Sequence, residues 1–317
     1  MNAFLNSSKL TRDKIRSHAR LASSKEREEG AYRAILNRNV SRLSYPDFLV
    51  IGARKCGTRA LLTMLNLHPQ IAVSGPEIHF FDLDENYERG VDWYLRQLPA
   101  RRPGQLIGEK TPAYFVAIHV PERIRKFEKE VGKRIKLILT VREPVTRVVS
   151  DLTQSVAQMN WNVEADSDRI NNFVKEKAFH PLSGKVTDEQ WQAIGVSQYA
   201  YHLEKWWKEF PKSQIHIVNG DRLITNPLSE MIQVSQYLNL SPFDWESSFY
   251  FNKTRGFYCL QRYIRDLSST KIKCLGDTKG RPHPKIEEKI YSQLLEYYKP
   301  WNKKLTEMTG IDFEWAI

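Results

Sequence analysis

Long apolar runs and cysteines are scarce in this chain of 317 residues. No run of 18 apolar residues occurs, so we expect no transmembrane helix. The chain does not open with a basic segment followed by an apolar one, so we expect no signal peptide. Three cysteines exclude a disulfide-dense scaffold and a zinc site made of four cysteines. Hydrophobic residues still make up 41% of the chain, which allows a sizeable core and excludes disorder for most of it.

Acidic residues are outnumbered: 48 Lys and Arg against 37 Asp and Glu give a net charge of +11. This balance favours an anionic partner, whether nucleic acid, a phosphorylated small molecule, an acidic polysaccharide or a membrane surface. Residues 1–44 hold ten basic and four acidic side chains and therefore carry more than half of the excess. We interpret 1–44 as a basic tail or stalk, the alternative being a solvated helix packed on the domain. Residues 45–317 are interpreted as one folded domain.

Three short apolar runs predict buried strands at 48–52, 135–141 and 214–218. Each is followed by a segment with helical spacing, at 58–67, 144–159 and 228–238. Strands that alternate with helices predict an α/β fold with a central, mostly parallel sheet flanked by helices. Further amphipathic helices are expected at 199–210 and 286–308. Residues 160–190 show no clear period and are interpreted as a surface excursion.

The segment 52–59, Gly-Ala-Arg-Lys-Cys-Gly-Thr-Arg, joins the first predicted strand to its helix. Its glycines permit a tight turn and close approach to a ligand, and its N–H groups with the helix N-terminus form an anion site. We expect Thr58 to cap the helix or to bind a phosphate oxygen, with Arg54, Lys55 and Arg59 adding charge. The alternative is an ordinary turn with exposed basic residues.

This turn differs from a Walker A loop, because Lys55 lies two residues before the second glycine instead of directly after it. The sequence also shows no strand that ends in an acidic residue able to hold Mg²⁺. A nucleotide kinase is therefore the weaker hypothesis.

A second candidate phosphate site follows the predicted strand 135–141. Arg142 emerges at its carboxyl end, where open α/β sheets bind ligands, and Ser150 lies about two turns into the next helix. An arginine fork and a hydroxyl can together hold a phosphate. The alternative is a surface Arg142 paired with Glu143.

Together, the two motifs resemble the 5′- and 3′-phosphate-binding elements of sulfotransferases that use 3′-phosphoadenosine 5′-phosphosulfate (PAPS). Around them, segments 77–82, 109–115, 151–154, 250–259 and 279–284 resemble the heparan sulfate glucosamine 3-O-sulfotransferases. The resemblance runs from about residue 46 to the C-terminus. It implies the P-loop-like sulfotransferase fold and sulfuryl transfer from PAPS to the 3-hydroxyl of a glucosamine residue in heparan sulfate.

The resemblance also implies a role for each matching residue. The 5′-phosphosulfate would be held by Arg54, Lys55, Cys56, Gly57, Thr58 and Arg59, and the 3′-phosphate by Arg142 and Ser150. The cofactor would be covered by Tyr258 and by the loop Lys279, Gly280, Arg281, Pro282 and His283. The sugar chain would be contacted by Glu77, His79, Asp82, Lys110, Gln154 and Trp191.

Glu77 matches the general base of the family. A sugar hydroxyl is a poor nucleophile at neutral pH, and a carboxylate can take its proton during in-line attack on sulfur. We expect Lys55, Lys110 and the N–H groups of the turn to stabilise the charge that develops, and we place His79 in the same catalytic group. Taken alone, Glu77 and His79 would be read as structural groups satisfied by a neighbour. No metal is required, since no His, Cys and carboxylate cluster has ligand spacing.

Three features depart from the family pattern. Cys56 stands where most members have glycine, and Leu152 stands where tyrosine is common, which would remove a polar group near the acceptor. The N-terminal membrane anchor usual in the family is also not found, so membrane association is not expected from this sequence.

The expected partner is heparan sulfate and not nucleic acid, and we expect a monomer. A non-enzymatic alternative is a heparin- or nucleic-acid-binding module that uses the same basic patch. The family resemblance predicts the Golgi lumen, and four glycosylation sequons, at Asn6, Asn39, Asn239 and Asn252, favour the secretory route.

We predict a disulfide between Cys259 and Cys274. Cys56 lies in the phosphate turn, where a bridge would distort the site, whereas the other two flank a 14-residue segment interpreted as a hairpin-like loop. The alternative is two reduced, buried thiols.

Overall fold

The computed structural model of the chain describes residues 44–188, 190–254, 256–264, 269–274 and 283–315, with the side chains of 261–264 and 269–273 left out. Residues Tyr45–Ile317 form one compact unit. The predicted tail, apart from Ser44, and the sequons at Asn6 and Asn39 lie outside the described residues. Within the described part of the chain, no helix combines the length and the apolar character that crossing a membrane demands.

The centre of the fold is a sheet of five parallel strands in the order β2-β3-β1-β4-β5. The strands are β1 (Phe48–Gly52), β2 (Ile71–Val73), β3 (Leu106–Lys110), β4 (Lys136–Val141) and β5 (Ile215–Asn219). Every residue of β1 is buried, because this strand is paired on both edges and covered on both faces. The predicted α/β class is confirmed.

Helices surround this sheet. Those of eight or more residues are Thr58–Leu65, Gly90–Gln97, Val120–Val131, Pro144–Gln158, Ser167–Ala178, Tyr199–Glu209, Pro227–Leu238 and Glu288–Thr309. Shorter helices are Asp84–Tyr87, Gln192–Val196 and Gly220–Thr225, and 3₁₀ turns occur at Pro112–Phe115, Lys212–Gln214 and Glu246–Ser248. The predicted helices agree with these bounds to within about two residues, the usual uncertainty at helix ends.

The interpretation of 160–190 as a surface excursion is wrong. The helix Ser167–Ala178 lies in this segment and buries Ile170, Val174 and Ala178 in a core cluster shared with the helices Pro144–Gln158 and Glu288–Thr309. These three residues recur every four positions and form a narrow stripe. The stripe is easily missed because the rest of the helix is polar.

A second, antiparallel sheet consists of β6 (Phe249–Asn252), β7 (Phe257–Ile264) and β8 (Ser269–Lys273). The predicted hairpin-like loop is thus a pair of hydrogen-bonded strands. Cys259 in β7 and Cys274 after β8 form a disulfide, with their Cα atoms 4.4 Å apart. This bridge ties the end of β8 to the strand that carries Tyr258.

Candidate active site

A cavity of about 780 Å³ opens at the carboxyl ends of the central strands, a size typical of ligand sites. Strands β1, β3 and β4 end at the same edge of the sheet and deliver Arg54, Lys110 and Arg142 to the lining. The second sheet adds Tyr258 at the other side. The position agrees with the general rule for open parallel sheets.

The turn after β1 is shaped for close approach to an anion. Gly57 precedes the helix Thr58–Leu65 with φ 90°, a left-handed conformation that favours glycine. A Cβ on Gly52 would lie 2.5 Å from the Cβ of Phe115, so only glycine fits where the turn leaves the strand. The N-cap of this helix is Gly57, and Thr58 is its first helical residue. The expectation that Thr58 caps the helix is therefore wrong, although Thr58 lines the cavity.

Arg54 belongs to a chain of ion pairs with Asp151 and Arg147. Its Nη2 lies 2.9 Å from Asp151 Oδ2, and the same oxygen lies 2.7 Å from Nη1 of Arg147. Arg147 is fully buried, and sequence reasoning missed it. The available signal is the spacing of Arg147 and Asp151, four residues apart on one helix, which places them on one face.

Lys55 and Gln154 meet inside the cavity, where Lys55 Nζ donates to Gln154 Oε1 at 3.2 Å. Both side chains line the cavity, as does Arg59. The turn after β1 and the helix Pro144–Gln158 therefore supply polar groups to the same space.

The side chain of Cys56 points into the core and not into the cavity. Its Sγ lies 3.4 Å from the hydroxyl of Tyr199, and burial raises the pKa of the thiol to about 11. A side chain is tolerated in the turn because this buried space accommodates it. Leu152 is likewise buried, among Val148 and Val156 of the helical core. Leu152 does not line the cavity, and its effect on the acceptor stays a prediction.

Arg142 is paired with Asp221 and not with Glu143. Its Nε donates to Asp221 Oδ1 at 3.0 Å, and the other oxygen of Asp221 accepts from the Glu143 N–H at 2.8 Å. The Glu143 carboxylate instead caps the following helix by accepting from the N–H groups of residues 145 and 146. Ser150 lies further along the same helix and lines the cavity together with Arg142. The two residues predicted for the 3′-phosphate thus share one space.

Glu77 lies between two cationic or potentially cationic groups. One carboxylate oxygen forms an ion pair with the buried Lys110, and the other lies 3.5 Å from His79 Nε2. His79 Nδ1 in turn lies 2.8 Å from Asp82 Oδ2. The partners of Glu77 are therefore a lysine and a histidine. Glu77, His79 and Lys110 all line the main cavity.

Two predicted substrate contacts lie outside the lining of the main cavity. Asp82 pairs with His79, which lines the main cavity, and itself borders a smaller cavity of about 380 Å³. Trp191 packs its ring edge-on against Phe173, with the ring centroids 5.8 Å apart. Trp191 does not line the cavity that Glu77 lines, and its contact with the sugar chain stays a prediction.

The predicted covering loop is described in part. Lys279, Gly280, Arg281 and Pro282 lie outside the described residues, whereas His283 and Tyr258 line the cavity. Burial and then the charges of Arg142 and Lys55 lower the pKa of His283. His283 therefore lies in the electropositive field of Arg142 and Lys55.

This lining suits a bisphosphate with an attached sulfuryl group. Arg54, Lys55, Arg59 and Arg142 are distributed around it, and guanidinium and ammonium groups bind such oxyanions through charge-assisted hydrogen bonds. Among the residues that the structure describes, no group of three or more His, Cys, Asp or Glu is arranged to hold a metal ion.

Comparison with known proteins agrees with this geometry. Residues 45–309 match the sulfotransferase domain family, so the chain is a sulfotransferase, a class that takes its sulfuryl group from PAPS. It is 44% identical over 272 residues to heparan sulfate glucosamine 3-O-sulfotransferase 5 of Mus musculus, covering 85% of this chain and 74% of that protein. It is 39% identical over 290 residues to heparan sulfate glucosamine 3-O-sulfotransferase 3A1 of Mus musculus, covering 92% and 69%. The chain belongs to the heparan sulfate glucosamine 3-O-sulfotransferase family, and the resemblance stated from its motifs is confirmed.

A crystal structure of a sulfotransferase from Alicyclobacillus acidocaldarius superposes with a TM-score of 0.57 at 18% identity, covering 85% of this chain and 97% of that one. At this identity the likeness shows a shared fold, and it confirms the predicted sulfotransferase architecture.

Proposed function

We propose that this chain transfers a sulfuryl group from PAPS to the 3-hydroxyl of a glucosamine residue in heparan sulfate. The observation that carries the proposal is that Lys55 of the anion-binding turn and the carboxylate of Glu77 line one cavity. A donor site and a proton acceptor therefore share the space in which a hydroxyl would attack. A module that only bound heparin or nucleic acid would need neither the glycine turn nor Glu77.

The residues of the turn and of the strand β4 would bind the donor. Lys55, Arg54 and the N-terminus of the helix Thr58–Leu65 lie where the 5′-phosphosulfate is expected, and Arg142 with Ser150 where the 3′-phosphate is expected. The donor supplies the sulfuryl group and a bisphosphate leaving group. Fixed cations in a cavity with little water stabilise developing negative charge far more than the same cations in water.

Glu77 would accept the proton of the attacking hydroxyl. Lys110 holds one of its carboxylate oxygens and His79 faces the other, so the carboxylate is oriented from two sides. Asp82 fixes the imidazole of His79 through Nδ1, which leaves Nε2 directed at Glu77. Positioned general bases typically contribute about 10²- to 10⁴-fold to the rate.

We also propose that the acceptor is bound by charge along the open side of the cavity and that the protein works as a monomer in the Golgi lumen. The Cys259–Cys274 disulfide supports a lumenal site, because disulfides persist in oxidising compartments. Asn239 is exposed at the end of a helix, where its sequon is accessible. Protein recovered only from the cytosol with unmodified sequons would contradict this assignment.

A thermal-shift experiment tests the class of ligand. Adenosine 3′,5′-bisphosphate should raise the melting temperature, and ATP with Mg²⁺ should raise it much less. A shift with ATP and Mg²⁺ alone would favour a kinase, and a shift with heparin alone would favour a binding module.

Transfer of ³⁵S from labelled PAPS to heparan sulfate then tests the reaction, and disaccharide analysis after lyase digestion locates the new sulfate. We expect label on the 3-hydroxyl of glucosamine. Label on the 6-hydroxyl, on the amino group or on the uronic acid would contradict the proposed position.

A further inference from the structure

Glu109 is a fully buried carboxylate that no step described above uses. It precedes Lys110 on β3, so its side chain lies on the opposite face of the strand. Its oxygens accept hydrogen bonds from the Thr111 hydroxyl at 2.9 Å, the Tyr114 hydroxyl at 2.9 Å and the Tyr94 hydroxyl at 3.4 Å. A buried carboxylate with three hydroxyl donors is a costly group to keep in a core, which suggests a purpose beyond packing.

Two of these hydroxyls hold the backbone that follows Glu77. The Thr111 Oγ1 accepts from the N–H groups of Ile78 and His79, at 3.2 and 3.4 Å. The Tyr114 hydroxyl accepts from the N–H groups of residues 80 and 81, at 3.0 and 3.5 Å. Four successive N–H groups therefore depend on two hydroxyls, and both hydroxyls donate to Glu109.

The held segment needs external support. Residues 78–81 belong to no helix or strand, so regular backbone pairing does not satisfy their N–H groups. His79 has φ 53°, a left-handed conformation that side chains other than glycine adopt at some cost. Glu77 and His79 keep their positions because the surrounding contacts determine the path of this backbone.

We propose that Glu109 is a positioning residue for the catalytic segment. Acting through Thr111 and Tyr114, its carboxyl group fixes the backbone that places Glu77 and His79 in the cavity. This inference rests on the proposed function for its effect on rate, but its effect on the backbone can be measured independently.

The count of hydrogens explains why a carboxyl group suits this place better than an amide. A hydroxyl carries one hydrogen and two acceptor sites. When Glu109 only accepts, Thr111 and Tyr114 direct their hydrogens toward it and their lone pairs toward the N–H groups. An amide at position 109 would bring two hydrogens of its own. At least one of these amide hydrogens would point at a hydroxyl that now donates to Glu109. The hydrogen of that hydroxyl would then have no acceptor in the cluster, and an unsatisfied donor is costly in a buried site.

The main test compares two variants at one position. Thr111→Val keeps the shape of the side chain and removes the hydroxyl, whereas Thr111→Ser keeps the hydroxyl. Tyr94→Phe is the matched control for the carboxylate, because the Tyr94 hydroxyl donates to Glu109 while the N–H groups of residues 78–81 bond to Thr111 and Tyr114. Glu109→Gln tests the carboxylate itself.

Hydrogen–deuterium exchange of the full chain gives the structural readout. We expect peptides that cover 77–82 to exchange at least about fivefold faster in Thr111→Val and Glu109→Gln, since one lost bond contributes about 1 kcal/mol. Peptides that cover 53–59 should be unchanged, and Tyr94→Phe and Thr111→Ser should match the wild type at 77–82. Unchanged exchange at 77–82 in both Thr111→Val and Glu109→Gln would overturn the proposal.

Kinetics give the second readout. We expect kcat to fall by about 10²-fold in Thr111→Val and Glu109→Gln, the usual effect of misplacing a reacting group by about 1 Å, while the Kd for adenosine 3′,5′-bisphosphate stays within about twofold. A residue that only stabilised the core would lower the melting temperature and leave kcat of the folded enzyme unchanged, and that result would also overturn the proposal.

The two proposals can fail separately. A wild-type chain that transfers no sulfate would contradict the proposed function, and the exchange experiment would still decide the positioning role. If Thr111→Val did not fold, Tyr114→Phe would test the same role at the N–H groups of residues 80 and 81.

Discussion

The hydroxyl of Tyr199 donates to the carbonyl oxygen of Arg142 at 2.8 Å. The same hydroxyl lies 3.4 Å from the Sγ of Cys56, so one buried side chain contacts both candidate phosphate-binding segments. The turn after β1 and the residue after β4 are thereby held in a fixed relation. In the proposed donor site, this relation would set the distance between the groups that bind the 5′- and 3′-phosphates.

Tyr199→Phe should weaken the binding of adenosine 3′,5′-bisphosphate by about fivefold, because one buried hydrogen bond contributes about 1 kcal/mol. Tyr298→Phe is the matched control, since its buried hydroxyl donates to the carbonyl of Ile194 at 2.8 Å in the helical core. Both variants should lose stability, but only Tyr199→Phe should lose affinity in isothermal titration. Equal affinities in the two variants would contradict this role.

Lys55→Ala and Arg142→Ala should each lower sulfuryl transfer by at least about 10²-fold, because each removes a fixed cation beside the donor. Arg142→Ala should also raise the Kd for adenosine 3′,5′-bisphosphate. Lys129→Ala, on an exposed position of the helix Val120–Val131, controls for the loss of one positive charge. If Lys55→Ala and Arg142→Ala had the same turnover and affinity as this control, the assignment of both residues to the site would be contradicted.

Glu77→Gln should keep the fold and the affinity for adenosine 3′,5′-bisphosphate but lose about 10²- to 10⁴-fold in kcat. The amide keeps the shape of the carboxylate and cannot accept the proton. Glu85→Gln, at a nearby exposed position, should behave like the wild type. A Glu77→Gln enzyme that retained more than about a tenth of the rate would not fit a general base.

Replacing both Cys259 and Cys274 by serine should lower the free energy of unfolding by about 3 kcal/mol, the chain-entropy contribution of a loop of this length. Chemical denaturation measures this change, and Cys56→Ala is the cysteine control outside the bridge. In the native wild type, thiol reagents should modify Cys56 slowly, because burial raises its pKa to about 11. Recovery of three reactive thiols from secreted protein would contradict the bridge.

Glu109 should make stability depend on pH. Burial, and to a smaller extent the charge of Asp82, raises the pKa of its carboxyl from 4.5 to about 7, while the hydroxyls of Thr111, Tyr114 and Tyr94 lower it. The folded state therefore binds this proton more tightly than the unfolded state does. The corresponding stability is complete below pH 4.5 and is lost as the pH rises through 7, a change of about 3 kcal/mol.

The difference between wild type and Glu109→Gln isolates this group. Burial lowers the pKa values of His202 and His216 from 6.5 to about 4, so these groups favour folding as the pH rises and oppose the effect in either protein alone. Between pH 5 and 8, the unfolding free energy of Glu109→Gln should rise relative to that of the wild type. Urea denaturation measures both unfolding free energies. If their difference stayed constant across this pH range, the raised pKa of Glu109 would be contradicted.

The sequence by itself determined the features that depend on local order. An apolar run followed by Gly57 and helical spacing defines β1, its turn and its helix, because each is formed by neighbours along the chain. Arg142 could likewise be placed at the end of β4. The family could be recognised because several such segments occur in order.

Only the tertiary structure decided which groups face one another. Glu77 meets Lys110 across 33 residues of sequence, and Arg142 meets Asp221 across 79. No periodic pattern in the sequence indicates either pair, because both pairs are brought together by parallel strands that end at one edge of the sheet. The inward orientation of Cys56 and the packing of Trp191 on Phe173 were equally hidden, because a side chain's direction depends on the core that forms around it. Glu109 is the clearest case: as a residue in a strand it carries no signal, and its role arises only when folding places Thr111 and Tyr114 between it and the backbone that follows Glu77.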